Sequence, residues 1–246
     1  MFVGVRRPGG IPRVIGIRDA VSGIVREGQT MKTIESVKRV FAAVVAVASS
    51  QVFAQATQAE RPELKPGTEW VYKIDNSKRN RPGPPAELKR VIKEVGDKDY
   101  TIEITQAGNT RIGAMSLDLN PFSEGLTSSG RTSSPLPYFS FPLVPGKTYS
   151  GVLDYPSPFG NLIINLNMTT KVLDWEEVTV PGGKFRALKI EGNGRSVGGP
   201  INGTRKATLW YAPEIANYVR MEFEMSYNSP AVDKSIQELS SFSLKQ

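Results

Sequence analysis

The sequence contains no histidine and no cysteine in its 246 residues. Without an imidazole it has no Ser-His-Asp triad and no histidine general base, and it lacks the usual ligands of a zinc site. Without a thiol it forms no disulfide, attaches no haem and carries no lipid on cysteine. We therefore expect a protein that is not an enzyme and that has no catalytic residues, no metal site and no cofactor.

The rest of the composition is that of a globular chain. Apolar residues make up 39% and charged residues 22%, with 23 glycines and 18 prolines, which excludes the disordered and collagen-like classes. The length of 246 residues allows one large domain or two small ones. The formal net charge of +7 would favour an acidic partner, but the positions of the basic residues change that interpretation.

Residues 31–56 have the order of a secretory signal peptide. Basic residues precede an apolar run, which a small-x-small site follows: Lys32, Lys38 and Arg39, then 40–47, then Ala54-Gln55-Ala56. The pattern predicts a bacterial protein that is periplasmic or secreted after cleavage behind Ala56. The apolar run is much shorter than the roughly 20 residues that span a bilayer, so we expect no transmembrane span in the mature chain.

The basic charge belongs mostly to the region ahead of that cleavage site. Residues 1–30 precede Met31 and are polar and glycine-rich, and we interpret them as a start-site artefact or a disordered extension. Residues 1–56 hold eight of the 31 basic and three of the 24 acidic residues, which leaves 23 and 21 in the mature chain. Nucleic acid binding needs clustered cations on the folded surface, so we expect no nucleic acid partner.

One basic cluster remains in the mature chain, around the turn sequence Pro82-Gly83-Pro84-Pro85. Its members are Lys78, Arg79, Arg81, Lys89, Arg90 and Lys93. Charged residues beside a turn between two alternating runs are typical of a solvated hairpin loop and strand face. We favour this interpretation over a site for a polyanion.

From residue 57 onward the sequence consists of short alternating segments separated by turn residues. The clearest run, 217–226, alternates charged residues with Val219, Met221, Phe223 and Met225. Further strands are predicted near 70–74, 87–95, 100–104, 110–118, 137–142, 147–154, 162–172, 177–180, 184–192, 204–211 and 236–244. The pattern predicts a single all-β domain over 57–246, with about ten antiparallel strands in one strongly curved sheet, barrel-like or sandwich.

Three segments of the mature chain lack a clear alternation and are rich in proline, glycine or serine. They lie near 78–86, 120–135 and 192–203. Segments of this length and composition are typical of mobile loops, which is what we predict for them. The glycine-rich segment 192–203 lacks the Gly-Lys-Ser/Thr ending of a phosphate-binding loop, so we predict no nucleotide site there.

Several short phrases in residues 136–246 occur in a characteristic order. They include Pro145-Gly146-Lys147, Pro181-Gly182-Gly183, Trp210-Tyr211-Ala212-Pro213-Glu214 and Val219-Arg220-Met221-Glu222. In these phrases the chain resembles the TapB-like group, a family of secreted bacterial domains of unknown function. The resemblance implies a periplasmic or secreted, mainly antiparallel β domain without an established reaction or ligand. Family members often carry a lipid-attachment cysteine, and because this chain has none we expect it to be soluble after cleavage.

Three classes of function fit such a domain. The first is a non-catalytic binding module of the bacterial envelope, whose curved sheet presents an apolar face to a lipid, a peptide or an envelope protein. The second is a structural protein that pairs through an exposed edge strand such as 236–244. The third is a glycan hydrolase, which needs two carboxylates about 5–10 Å apart.

The acids available for hydrolysis are Glu176, Glu177, Glu214, Glu222 and Glu224. Glu176 and Glu177 are neighbours that point to opposite faces of a strand, and Glu222 and Glu224 occupy the outer face of the clearest run. Glu214, directly after Pro213, is the one acid worth testing, although a turn carboxylate is usually solvated. We favour the binding module; the sequence identifies no ligand-facing residue and leaves the oligomeric state open.

Overall fold

A computed structural model describes residues 57–79, 82–124, 131–156, 163–198, 200–228 and 231–245. The signal peptide predicted over 31–56 and the extension predicted over 1–30 lie outside these residues. Twelve strands are present in the described part: β1 (Glu69–Asp75), β2 (Ala86–Val95), β3 (Asp99–Gln106), β4 (Asn109–Ser116), β5 (Phe122–Glu124), β6 (Arg131–Pro135), β7 (Thr148–Pro156), β8 (Ile163–Val180), β9 (Gly183–Gly198), β10 (Ile201–Ala212), β11 (Asn217–Tyr227) and β12 (Asp233–Ser243). A short 3-10 helix, Pro213–Ile215, joins β10 to β11.

Ten of these strands form one antiparallel sheet in the order β4-β3-β2-β1-β12-β11-β10-β9-β8-β7. β1 to β4 pair in chain order, and so do β7 to β12, and β12 joins the two runs by pairing with β1. Irregular pairing interrupts the register at Val71/Tyr72, Val172/Trp175 and Trp210/Tyr211, and such bulges bend a sheet. The predicted all-β class and the single antiparallel sheet of about ten strands are confirmed.

The period of two seen in the sequence sets which face of the sheet is buried. In β1, Trp70, Tyr72 and Ile74 are at most 5% exposed, whereas Lys73 and Asp75 between them are exposed. The same rule buries Tyr100 and Ile102 of β3. We call the face that carries these side chains the inner face and the opposite one the outer face. The inner face holds most of the hydrophobic core.

The last strand is central, so the prediction of an edge strand at 236–244 is wrong. β12 pairs with β1 on one side and with β11 on the other. The edges of the ten-stranded sheet are β4 and β7. Alternation alone does not separate these cases, because an edge strand and a central strand with one solvated face have the same period.

The glycine-rich segment 192–203 also differs from its prediction as a loop. β9 continues to Gly198 and β10 begins at Ile201, so the described part of the segment is almost all strand. Its glycines mark a close approach of neighbouring strands: a Cβ on Gly198 would lie 2.5 Å from the carbonyl oxygen of Ile163. The glycines therefore allow tight cross-strand packing.

Two other segments need smaller corrections. The predicted loop 120–135 contains β5 and β6, which pair with each other as a separate two-stranded sheet. The segment 137–142, predicted as a strand, has no regular structure, because Pro137 and Pro142 cannot donate to a ladder. The predicted loop 78–86 does connect two antiparallel strands, β1 and β2.

Candidate functional site

An irregular segment, Leu136–Pro142, packs over the inner face of the sheet. We call it the covering segment. The rings of Phe139 and Phe141 lie 5.6 and 5.3 Å from the ring of Tyr211, which is fully buried. The segment therefore places aromatic side chains on the core without adding a strand to the sheet.

Side chains of β7, β8 and the preceding turn satisfy the backbone of the covering segment. The Tyr149 hydroxyl donates to the carbonyl oxygen of Tyr138 at 2.7 Å, and the Thr170 hydroxyl donates to that of Pro137 at 2.7 Å. The Lys147 ammonium donates to the carbonyl oxygen of Pro142 at 3.0 Å. A buried backbone group without a partner is costly, so these bonds allow an irregular segment to lie on the core.

Asn120 fixes the middle of the covering segment. Its Oδ1 accepts hydrogen bonds from the backbone N–H groups of Tyr138 at 3.0 Å and Phe139 at 2.8 Å. Its Nδ2 donates to the carbonyl oxygen of Phe139 at 2.7 Å, and the side chain is only 6% exposed. The preceding residue, Leu119, is buried with a φ of 62°, a conformation that is strained for leucine. The burial of Leu119 and the hydrogen bonds of Asn120 hold this turn in place.

A cavity of about 170 Å³ lies between the covering segment and the sheet. Its walls are mainly apolar or aromatic: Leu119, Pro121, Leu136, Tyr138, Phe139, Leu209, Tyr218 and Met221, with Arg90 and Gln237 as polar members. The volume is close to that of an engineered apolar cavity of about 150 Å³ that binds benzene. It is smaller than the roughly 300 Å³ at which pockets for whole drug-sized ligands begin. The cavity can therefore hold one benzene-sized apolar group.

Arg90 provides the positive charge of this cavity. Its guanidinium carbon lies 5.8 Å from the ring centroid of Tyr72 and 5.6 Å from that of Tyr218. Its Nε is buried and has no hydrogen-bond partner, and no carboxylate among the described residues forms an ion pair with it. Arg90 is therefore held by cation–π contacts with two aromatic rings and by a side-chain hydrogen bond with Tyr218.

The two tyrosines beside Arg90 are not available as bases. Burial raises the pKa of Tyr72 and Tyr218, although the nearby Arg90 guanidinium acts in the opposite direction. The Tyr72 hydroxyl donates to the carbonyl oxygen of Tyr218 at 3.0 Å, and the Tyr218 hydroxyl donates to Oε1 of Gln237 at 2.8 Å. Both hydroxyls stay protonated and direct their protons to protein acceptors.

The basic cluster predicted from the sequence does not form one surface. Lys89 lies on the outer face and pairs with Glu69 at 2.8 Å, and Lys93 pairs with Glu103 at 3.6 Å. Lys78 and Arg79 are exposed in the β1–β2 connection, and Arg81 lies outside the described residues. Arg90 alone of the described members points into the cavity.

The inward position of Arg90 was not predicted, although the alternation of β2 indicates it. In β2, Ala86, Leu88, Arg90 and Ile92 occupy alternate positions, and both Leu88 and Ile92 are buried. An arginine in phase with buried aliphatic residues is placed on the inner face by the period of the strand. The prolines of the adjacent turn and the neighbouring cations instead favoured a solvated loop and strand face for the whole cluster.

The outer face carries a second, polar groove of about 300 Å³ over β9 to β12. Its lining is charged apart from one threonine and one tryptophan: Lys189, Glu191, Lys206, Thr208, Trp210, Glu222, Glu224 and Lys234. The cations of Lys189 and Arg220 lie 5.5 and 5.4 Å from the Trp210 ring. The groove contains the acids that a hydrolase would need.

These acids are committed to ion pairs. Glu222 accepts from Arg220 at 2.7 Å and lies 3.0 Å from the Lys234 ammonium, which also pairs with Glu224 at 3.0 Å. Desolvation acts to raise the pKa of Glu222, but the hydrogen bonds from Lys234 and Arg220 outweigh it and the pKa is lowered. A general acid needs a raised pKa, so the state of Glu222 does not favour acid catalysis.

The other three candidate acids, Glu176, Glu177 and Glu214, do not line the groove. Glu176 accepts a hydrogen bond from Nε1 of Trp210, and Glu177 forms an exposed ion pair with Lys184 at 2.9 Å. Glu214 is exposed in the 3-10 helix. The prediction that Glu222 and Glu224 occupy the outer face is confirmed by their places in the groove.

The described residues contain neither a metal-ion cluster nor a membrane-spanning helix. In that part of the chain, no three acidic residues are grouped closely enough to hold a metal ion. No helix within it has the length and apolar character required to cross a membrane. The arrangement with the clearest chemical use is therefore the cavity beside Arg90.

No family model matches the chain, and no curated protein matches it. Among solved structures, a candidate lipoprotein from Parabacteroides distasonis is 16% identical, with 75% of this chain and 99% of that chain covered and a TM-score of 0.40. A candidate exported protein with a YmcC-like fold from Bacteroides fragilis is 14% identical, with coverages of 75% and 99% and a TM-score of 0.38. The hypothetical lipoprotein YmcC from Escherichia coli is 12% identical, with coverages of 89% and 98% and a TM-score of 0.40. These similarities assign neither a family nor a function, and membership of the TapB-like group stays a prediction.

Proposed function

We propose that the protein is a non-catalytic binding module whose inner face receives a benzene-sized apolar group. The group belongs to a lipid, a peptide or an envelope protein. The observation that supports this proposal is the 170 Å³ cavity beneath the covering segment. A completely filled core would have favoured a purely structural role, because packed interiors leave few voids larger than a water molecule.

Details of the cavity wall support binding over a packing defect. Four separate side chains hold the covering segment above the cavity, and one residue of the wall, Leu119, has a left-handed backbone. Strained residues that the surrounding structure holds in place cluster at ligand-binding sites. The wall is therefore built to keep its shape with the cavity open.

We also propose that the protein acts outside the cytosol and does not catalyse a reaction. The order of basic, apolar and small residues over 31–56 supports export. Glu222 and Glu224 are held in ion pairs and the pKa of Glu222 is lowered, which does not favour the general acid that a hydrolase needs.

Methionine methyl groups provide a direct test of apolar binding. The chain has six methionines; Met221 lines the cavity, whereas Met168 is fully buried outside its lining. In protein labelled with ¹³C at the methionine methyls, titration with benzyl alcohol is expected to shift the Met221 resonance saturably. The Met168 resonance should stay in place and serves as an internal control.

A blocking variant makes the same test specific to the cavity. Leu136→Trp replaces a leucine of the cavity wall by a bulky indole ring that fills the space. It is expected to abolish the Met221 shift. Ile112→Trp, at a position 58% exposed on edge strand β4, is the matched control and should leave the shift unchanged. If the Met221 resonance of the unmodified protein does not move up to the solubility limit of benzyl alcohol, the proposed function is wrong.

A further inference from the structure

We propose that the ligand of this cavity is a small amphipathic acid, in which an anionic group pairs with Arg90 and a benzene-sized apolar body fills the space beside it. This inference rests on the proposed function and adds the charge of the ligand. It is carried by the buried, unpartnered Nε of Arg90 in the cavity wall and by the absence of an ion pair between Arg90 and any described carboxylate.

Desolvation of an arginine is unfavourable unless a countercharge compensates for it. The loss of water from a charged group raises its free energy unless the group is paired and hydrogen-bonded. The rings of Tyr72 and Tyr218 compensate in part through cation–π contacts, at 5.8 and 5.6 Å. Arg90 also forms a side-chain hydrogen bond with Tyr218, but its Nε has no partner and no described carboxylate pairs with the guanidinium. An anion that enters the cavity supplies such a partner.

Two other arginines show why Arg90 differs. Arg220 also has a buried Nε without a partner, but its terminal nitrogens pair with Glu222 at 2.7 Å and Glu238 at 3.0 Å. Arg205 stacks on Phe223 at 4.7 Å and has the same unpartnered Nε, but it does not line the cavity. Of these three, only Arg90 combines a buried, unpartnered Nε and no described carboxylate partner with a place in the cavity wall.

The remaining polar groups of the cavity cannot replace the anion. The Tyr218 hydroxyl donates its proton to Oε1 of Gln237, so these two polar residues of the lining are already bonded to each other. No described negative group lines the cavity. The electrostatic field inside it is therefore positive, and a carboxylate is attracted where an alcohol of the same shape is not.

The test compares phenylacetate with benzyl alcohol, a neutral probe of similar shape, by the same Met221 methyl titration. The unmodified protein is expected to bind phenylacetate at least about tenfold more tightly, because a charged hydrogen-bonded pair is worth more than a neutral one. Arg90→Met removes the guanidinium charge and leaves an unbranched apolar side chain at this position. It is expected to remove this preference, so that phenylacetate and benzyl alcohol bind the variant with affinities within about threefold of each other.

Two controls separate charge from folding. Lys89→Met removes a cation from the next residue, on the outer face, and should leave the preference for phenylacetate intact. Arg90→Lys keeps the charge but not the planar fork, so it should retain part of the preference.

The outcomes distinguish this inference from the function on which it rests. If benzyl alcohol binds and phenylacetate binds no better, the acid is excluded and the apolar binding function stands. Retention of the full preference by Arg90→Met would also overturn the inference. If neither probe shifts Met221, the binding function itself fails.

Discussion

Asn120→Ala is expected to lower the free energy of unfolding by about 3 kcal/mol, because a buried polar group left without its partner costs about 1–3 kcal/mol. The substitution removes the acceptor of the Phe139 N–H, the second acceptor of the Tyr138 N–H, which also bonds to the carbonyl oxygen of Leu136, and the donor to the carbonyl oxygen of Phe139. It should also abolish the response of Met221 to benzyl alcohol, because the wall of the cavity is no longer held in place. Urea denaturation measures the stability.

The matched control for this change is Asn167→Ala. Asn167 is an exposed strand residue whose side chain donates to Oδ1 of Asn165. Exposed substitutions of this kind usually change stability by less than about 0.5 kcal/mol. Equal stability losses in the two variants would mean that Asn120 does not hold the covering segment.

Gly203→Ala is expected to destabilise the protein by about 2 kcal/mol, within the range typical of overpacking. Gly203 is a buried residue of β10 that pairs with Tyr227 of β11 and Ser196 of β9. A Cβ at this position would lie 2.5 Å from the carbonyl oxygen of Ser226. A backbone atom in a paired strand cannot move aside without disturbing the register. Thermal or urea denaturation checks the loss.

Gly83→Ala is the control, since Gly83 lies in the β1–β2 connection. Its added Cβ would have Asn76 Cβ as its nearest neighbour, at 3.9 Å, which is an ordinary contact. This variant should be close to neutral. If Gly203→Ala is equally neutral, residues 192–203 behave as the loop that their composition suggests, and the strand pairing of β9 and β10 there is contradicted.

Most of the sheet could be predicted from local alternation. In β1 and β3 the apolar positions 70, 72, 74, 100 and 102 all lie on the inner face, because side chains in a strand alternate between faces whatever the strand order. The prediction of a loop at 192–203 was wrong for a local reason, since glycine has no side chain to show alternation. The prediction of an edge strand at 236–244 was wrong for a global reason. Pairing between β1 and β12, the first and last strands of the chain, leaves no local signal in the sequence.

The cavity could not be predicted from the sequence in the same way. Its wall combines β2, β10, β11 and β12 with the turn at Leu119 and the covering segment, which are distant in the chain. The covering segment has no period, and its position depends on the side chains of Asn120, Lys147, Tyr149 and Thr170. Of the cavity wall, only the inward position of Arg90 could be predicted from the sequence, through the alternation of β2.

The outer groove and the cavity illustrate two ways to place charge on one sheet. On the outer face, three lysines and three glutamates line the groove, so its charge is compensated within the protein. On the inner face, Arg90 has aromatic neighbours and no described carboxylate partner. This difference is why we assign ligand binding to the smaller, less polar site.

A crystal of the protein soaked in bromobenzene tests the account most directly. The anomalous signal of bromine reports where the apolar ring lies without any assumption about affinity or labelling. The account predicts a bromine peak under the covering segment, within contact distance of Phe139, Leu209 and Met221. Bromine peaks only on the outer groove or the strand edges, with the space beside Arg90 empty or closed by side chains, would contradict it.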